Sequence, residues 1–299
     1  MKNYIFCYHG VSKKKDLSIN PKMNLNNKHI SEDEFYKQIK FLSQNKNVIS
    51  VDDLKNERNI KDENIIITFD DGFKNNLLAA EILDKFKLPC IFYLSIGNII
   101  NQKMFWVDML EDFIMMNKLK KFHFEGVEYK LQCINTRLKC LNEIKYKLKR
   151  FLKSERDSFL EDLTFKYNYS PNYNFPLFEL LNTDDVKSLY TNNLFSIGGH
   201  TFNHDPMTTF DNYDDLFHDT KKTLKTLGDI TNSKIDNYSF PEGTDDFFDN
   251  KCIDVLKKFN IGFCPTAIEG INNRITMPNY NSYRIMVGFN NIKFPFFIN

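Results

Sequence analysis

Three short runs rich in apolar and β-branched residues, Tyr4 to Tyr8, Ile65 to Phe69 and Cys90 to Ile96, constrain the fold most. Each is too short for a core helix and lacks the alternation of a half-exposed strand, so each reads as a strand buried on both faces. Between the first two, Ser31 with Glu34 three residues on matches a capping box, and Phe35, Ile39 and Leu42 keep one apolar face on the next helix. Val48 to Val51 is a brief extended piece. A second helix, carrying Leu78, Leu83 and Phe86, stops at Pro89. Strand, helix, strand, helix, strand implies a parallel sheet.

The rhythm breaks between about Asn101 and Leu181. An amphipathic helix starting near Met104, a small hairpin about Glu125-Gly126, a long basic helix over Arg137 to Lys153 and a Tyr, Asn and Pro loop mark 101–180 as a mainly helical insertion. Thr183, as an N-cap with Asp184 and Asp185 in the first turn, restarts the pattern. Further strands are expected from Leu194, Asn237, Ile261 and Arg284, with helices over Asp214 to Leu227 and Asp246 to Phe259. Counting from Tyr4 gives seven strands, close to the eight of a closed α/β barrel, so the predicted architecture is a short or distorted (β/α)7-type barrel. The chain reads as one domain, 1–299, with its core from 1–100 and 181–299.

At 299 residues and 42% hydrophobic composition the chain can bury a large core. Forty basic against thirty-nine acidic residues give a net charge of +1, and nothing in that balance points to nucleic acid. The six cysteines form no Cys-x-x-Cys pair, and the apolar run at the start is too short for a signal-peptide core. The expectation is a cytoplasmic protein with reduced thiols. No window reaches the roughly 18 to 20 apolar residues of a membrane span. The basic run Arg137, Lys139, Lys145, Lys147, Lys149, Arg150 and Lys153 reads as a solvated helix face, with peripheral contact to anionic lipid at the inner membrane face as its other reading. The aromatic ending Asn291 to Asn299 is expected to pack on the barrel.

In a barrel the reactive groups sit where strands end. Three predicted strand ends carry unusual polar residues: His9, the pair Asp70 and Asp71, and the stretch Gly198 to Asp205 with His200 and His204. Two adjacent carboxylates repel unless a cation or a shared proton intervenes. Alone, Asp-Asp-Gly is a common turn or cap, and His-x-x-x-His recurs without metal. Together they make one carboxylate plus two imidazoles, a three-ligand site with open positions, and leave a second carboxylate free to take a proton. His123 and His218 receive no chemical role.

Thr68-Phe69-Asp70-Asp71-Gly72 and His200-Thr201-Phe202-Asn203-His204 resemble the first two motifs of the polysaccharide deacetylases, carbohydrate esterase family 4 or NodB homology family. Tyr8-His9-Gly10-Val11 and Ser239-Phe240-Pro241-Glu242-Gly243 are similar to its opening and third motifs. The resemblance implies a NodB-like distorted barrel, Asp70 as general base, and Asp71, His200 and His204 around one divalent metal: zinc (Zn) first, with Co, Ni or Mn as alternatives. It implies hydrolysis of the N-acetyl group of an amino sugar, polymeric or lipid-linked, of a bacterial surface polysaccharide.

The departures are specific. Serine stands at 239, where members with Arg-x-Pro carry the arginine that orients the catalytic aspartate, and no histidine comes after His218 to serve as the late general acid. His9 is the replacement candidate for the acid, and Pro241 and Glu242 are candidates for the substrate or oxyanion wall. Two other functions remain open at this level: a carbohydrate-binding relative with little or no turnover, and a deformylase or cyclic amidase of the wider superfamily.

Overall fold

A computed structural model describes residues 1–24, 26–173, 175–289 and 294. Its main sheet is parallel, ordered Ile285–Met286, Lys2–Tyr8, Glu63–Phe69, Cys90–Leu94, Phe195–Gly199, with the short Asn47–Val48 beside the start of Glu63–Phe69. Single parallel bridges carry it on through Gly199–Tyr238, Asn237–Phe263 and Phe263–Asn279. The strands expected from Asn237 and Ile261 therefore shrink to bridges, and among the described residues no ladder closes the ring. The α/β parallel architecture holds, and beyond Phe195–Gly199 the described residues continue it by single bridges, the last being Glu269–Arg284 beside Ile285–Met286.

Period-two alternation sorts the side chains into two cores. Tyr4, Phe6 and Tyr8 join Ile65, Ile67 and Phe69 in the larger cluster against the helices, where Phe69 stacks between Tyr8 and Phe92 at centroid distances of 5.2 and 5.4 Å. Ile5, Ile66, Ile91 and Tyr93 face the other way, onto Phe263. The strand register also aligns the residues just past the strand ends. Tyr8 lies opposite Phe69 and Leu94 opposite Gly199, so His9 comes level with Asp70, and Ser95 with His200.

Several boundaries differ from expectation for local reasons. Ser31 does cap Glu32–Asn45 by accepting from the Glu34 amide, but the Glu34 carboxylate accepts from Gln38 rather than returning to the cap. The cap of Thr183–Thr191 is Asn182, one residue before Thr183, because its amide oxygen takes the Asp185 N–H. Around Glu125-Gly126 the hairpin forms as expected, Lys121–Phe124 against Val127–Lys130, with both turn residues at positive φ. The basic helix is two helices, Ile134–Leu148 and Lys153–Lys166. With Trp106–Met116 and the hairpin they bury a separate apolar cluster that includes Trp106, Phe113, Ile144 and Leu163. Of the C-terminal tail, Phe294 packs edge-on against Phe41; the rest lies outside the described residues.

Candidate metal centre

Asp70 continues its strand, with its amide bonded to the Tyr8 carbonyl, and points inward on the face that also carries Cys7, His9 and Thr68. Alternation would turn Asp71 away. Instead Asp71 adopts φ 77°, the Gly72 amide bonds back to the Asp70 carbonyl, and Gly72 itself sits at φ 99°. This γ-type turn, strained at a non-glycine residue, brings both carboxylates to the rim. Only glycine suits the second position, since a Cβ there would also lie 2.7 Å from Ile99.

His200 and His204 sit on a tight loop, not a helix, with Thr201 and His204 at φ 49° and 61°. The loop is held by its own backbone groups. Ser95 and Gly97 bond the carbonyls of His200 and Phe202, the Tyr238 hydroxyl accepts from the Thr201 amide, and the Trp106 indole donates to the His204 carbonyl. Arg156, fully buried over Trp106, pairs with Asp205 directly after His204.

Asp71 Oδ1 lies 3.1 Å from Nε2 of His204 and 3.5 Å from Nε2 of His200, yet is left without a hydrogen-bond partner. Convergent donors that do not bond one another fit a cation between them. His200 Nδ1 meets the Ser239 carbonyl at 2.9 Å, which fixes the tautomer and turns Nε2 to the site. Burial works against the Asp71 charge, but His204, His200 and His9 together more than offset it and hold the carboxyl well below its usual range.

Asp70 has a different partner. Both its oxygens receive Arg284, Nη1 and Nη2, at 2.8 Å each, while the arginine Nε donates to the Thr266 carbonyl. Burial alone would raise the Asp70 pKa; the Arg284 charge, with His200 beside it, brings it below the ordinary value. Ser239 Oγ is only 3.4 Å from Asp70, so the guanidinium expected at 239 comes from Arg284 instead. Sequence reasoning missed this residue. The available signal was an arginine at the head of a predicted buried strand, since a buried guanidinium requires an acidic partner.

Cys7, His9 and Asp70 form a second group whose ligating atoms lie within 4.8 Å of one another. A cation there would face Arg284, and burial pushes the Cys7 thiol well up, so this set is a poor metal site. His9 lines the same cavity, edge-on to Phe289 at 4.9 Å. Burial lowers its pKa to about 4 despite Asp71 and Asp70, so its imidazole is neutral at pH 7.

The cavity of about 150 Å³ contains all five motif carboxylates and imidazoles together with Arg284. Its other wall comes from 101–180: Asp108 and Glu111 on Trp106–Met116, and Lys145 and Lys149. This corrects the reading of the basic run as a solvated face for Lys145 and Lys149, while Lys139 and Arg150 stay exposed. Lys145 pairs with Glu111, Lys147 with Glu125, Lys149 with Glu242 and Arg150 with Asp246. Glu242, at φ 63°, lines the wall, whereas Pro241 is buried and does not reach it; lacking an N–H, it also has no donor for an oxyanion.

Beneath the loop, Asp219 accepts from the Phe202 amide. Burial, then the nearby Asp205 charge, raises its pKa to about 7. Between pH 4 and 7 the folded state thus holds a proton the unfolded chain has lost, and stability falls as pH rises through that window. Asp219→Asn keeps an acceptor and removes the effect. Thermal unfolding should show the variant more stable by up to roughly 4 kcal/mol at pH 8, three pKa units at ~1.4 kcal/mol each, with the gap closed at pH 4; a constant gap would contradict the assignment.

Residues 57–263 match the sequence model of a family described as Polysaccharide deacetylase. No curated protein matches the sequence. Among solved structures, the polysaccharide deacetylase BC0361 from Bacillus cereus superposes with a TM-score of 0.60 at 17% identity, covering 97% of this chain and 66% of its own. This chain therefore spans less than two thirds of that protein. IcaB from Ammonifex degensii gives 0.59 at 16% identity over 96% of this chain and 91% of its own. The deacetylase PplD from Streptococcus pyogenes, in complex with acetate, gives 0.57 at 14%, over 96% and 93%. Identities this low speak for a shared fold alone; with a family match across two thirds of the sequence, carrying both motifs, the chain belongs to the polysaccharide deacetylase family.

Proposed function

We propose that this chain is a divalent-metal-dependent hydrolase that removes N-acetyl groups from amino sugars of a bacterial surface polysaccharide or its lipid-linked precursor. The observation that carries the reading is the convergence of Asp71, His200 and His204 beside a carboxylate held separately by Arg284. A bound divalent ion, zinc before Co, Ni or Mn, would supply Lewis acidity to an amide carbonyl and make water a stronger acid. Asp70, ionised by its arginine, takes the proton from the attacking water. His9, neutral and close to Asp70, is the group to receive that proton and return it to the departing amine. Glu242 shapes one wall, with Pro241 buried behind it. We take 1–299 as one domain, with 101–180 an insertion subdomain that completes the pocket. A cytoplasmic setting is supported by six free cysteines; among the described residues no helix is long and apolar enough to cross a membrane.

Acetate release from N-acetylglucosamine oligomers and lipid-linked amino sugars tests the proposal. Dialysis against a chelator should abolish release, and zinc should restore it. Protein that binds no divalent metal, or that releases formate but no acetate from matched substrates, would require another function.

A further inference from the structure

Lys28 and Asp108 meet on the cavity wall, Nζ to Oδ1 at 2.5 Å, joining the loop before His29–Ser31 to the helix Trp106–Met116. The Asp108 side chain is only 2% exposed, and its second oxygen, Oδ2, is buried with no hydrogen-bond partner. A carboxylate oxygen left this way costs more than an ordinary lost hydrogen bond. Lys28 lies over the face of Phe73 at 4.6 Å, and its ammonium feels Asp71 as well as Asp108. With three donors and one given to Asp108, it has others to offer.

We infer that the Lys28–Asp108 pair is a sugar-hydroxyl subsite, in which a ring hydroxyl of the amino sugar donates to Asp108 and accepts from Lys28. A hydroxyl is both donor and acceptor, and a charged donor and charged acceptor side by side suit it better than either alone. Lys28 and Asp108 line the same cavity, of about 150 Å³, as Asp71, His200 and His204, so a sugar whose acyl group sits at those three has this wall close by. Neither residue belongs to the deacetylase motifs, and the subsite makes 101–180 a determinant of specificity. The inference rests on the amino-sugar reading of the site but concerns binding, not turnover.

Binding is therefore the test, in the zinc-loaded Asp70→Asn protein so that the ligand stays intact. Trp106, the only tryptophan, lies two residues from Asp108 and reports by fluorescence, with calorimetry as a check. The probes are the N-acetylglucosamine disaccharide and its 3-, 4- and 6-deoxy counterparts. Adding Asp108→Asn or Lys28→Gln should weaken disaccharide binding at least tenfold. One deoxy sugar should bind the parent more weakly by a similar factor, and that difference should vanish in the variants. If Asp108→Asn does not fold, Lys28→Gln carries the comparison. Unchanged affinity in the variants, equal binding of all the sugars, or no binding to the parent overturns the inference. Absence of acetate release by wild-type protein, with this binding pattern intact, would instead remove the proposed activity.

Discussion

Asp70→Asn should reduce acetate release by about 10²- to 10⁴-fold, the range for removing a general base, while the protein keeps its metal. The two effects separate because the proposed ligands are other residues: Asp71, His200 and His204 converge on their own point, and Asp70 Oδ2 is 4.0 Å from His200 Nε2. Some stability is also lost. Arg284, with no exposed surface, would face a neutral amide, and breaking a buried ion pair from one side costs about 3–5 kcal/mol, less where one hydrogen bond survives. Rates must therefore be compared well below the melting temperature, alongside metal content. A variant retaining its rate within a few-fold would remove Asp70 as the base. One losing rate and metal together would place Asp70 among the ligands.

How much of the site and fold was legible in the sequence depends on the range over which each feature is specified. The strands over Tyr4 to Tyr8, Ile65 to Phe69 and Cys90 to Leu94 were readable because a strand buried on both faces must be apolar throughout. Asp70, Asp71, His200 and His204 were readable because their spacing is local to two loops. Their positive φ values were less so, apart from the glycine at 72.

The charge partners were not legible. Arg284 is 214 residues from Asp70, and its role exists only once Ile285–Met286 has paired beside Lys2–Tyr8. The basic run failed differently. Basic residues spread around a helix look alike while its packing partners are unknown, and only packing of the helix on Trp106–Met116 sends Lys145 and Lys149 inward. Strand extent was over-read because Asn237 to Phe240 and Ile261 to Thr266 have strand-like composition but contribute single bridges. Local pattern reports that a segment is extended and buried, not how many rungs its neighbour completes.

Arg284→Met is the second substitution with a large expected effect, and it separates two roles of the guanidinium. With the arginine gone, burial dominates the Asp70 environment and its pKa rises. In the wild-type protein the depressed carboxyl adds stability that is present above the unfolded pKa and lost as pH falls through the folded one; in the variant the sign reverses, and stability falls as pH rises. Unfolding curves at pH 5 and pH 8 should therefore diverge, with the variant less stable by about 3–5 kcal/mol at pH 8, the cost of a buried unpaired charge, and closer to wild type at pH 5. The acidic limb of the pH–rate profile should move upward, because Asp70 must ionise before it can accept a proton. A loss of stability that is the same at both pH values, with an unshifted limb, would make Arg284 a packing residue. A shifted limb makes it the group that keeps the base ionised, performing from the last strand of the sheet the task that Ser239 cannot.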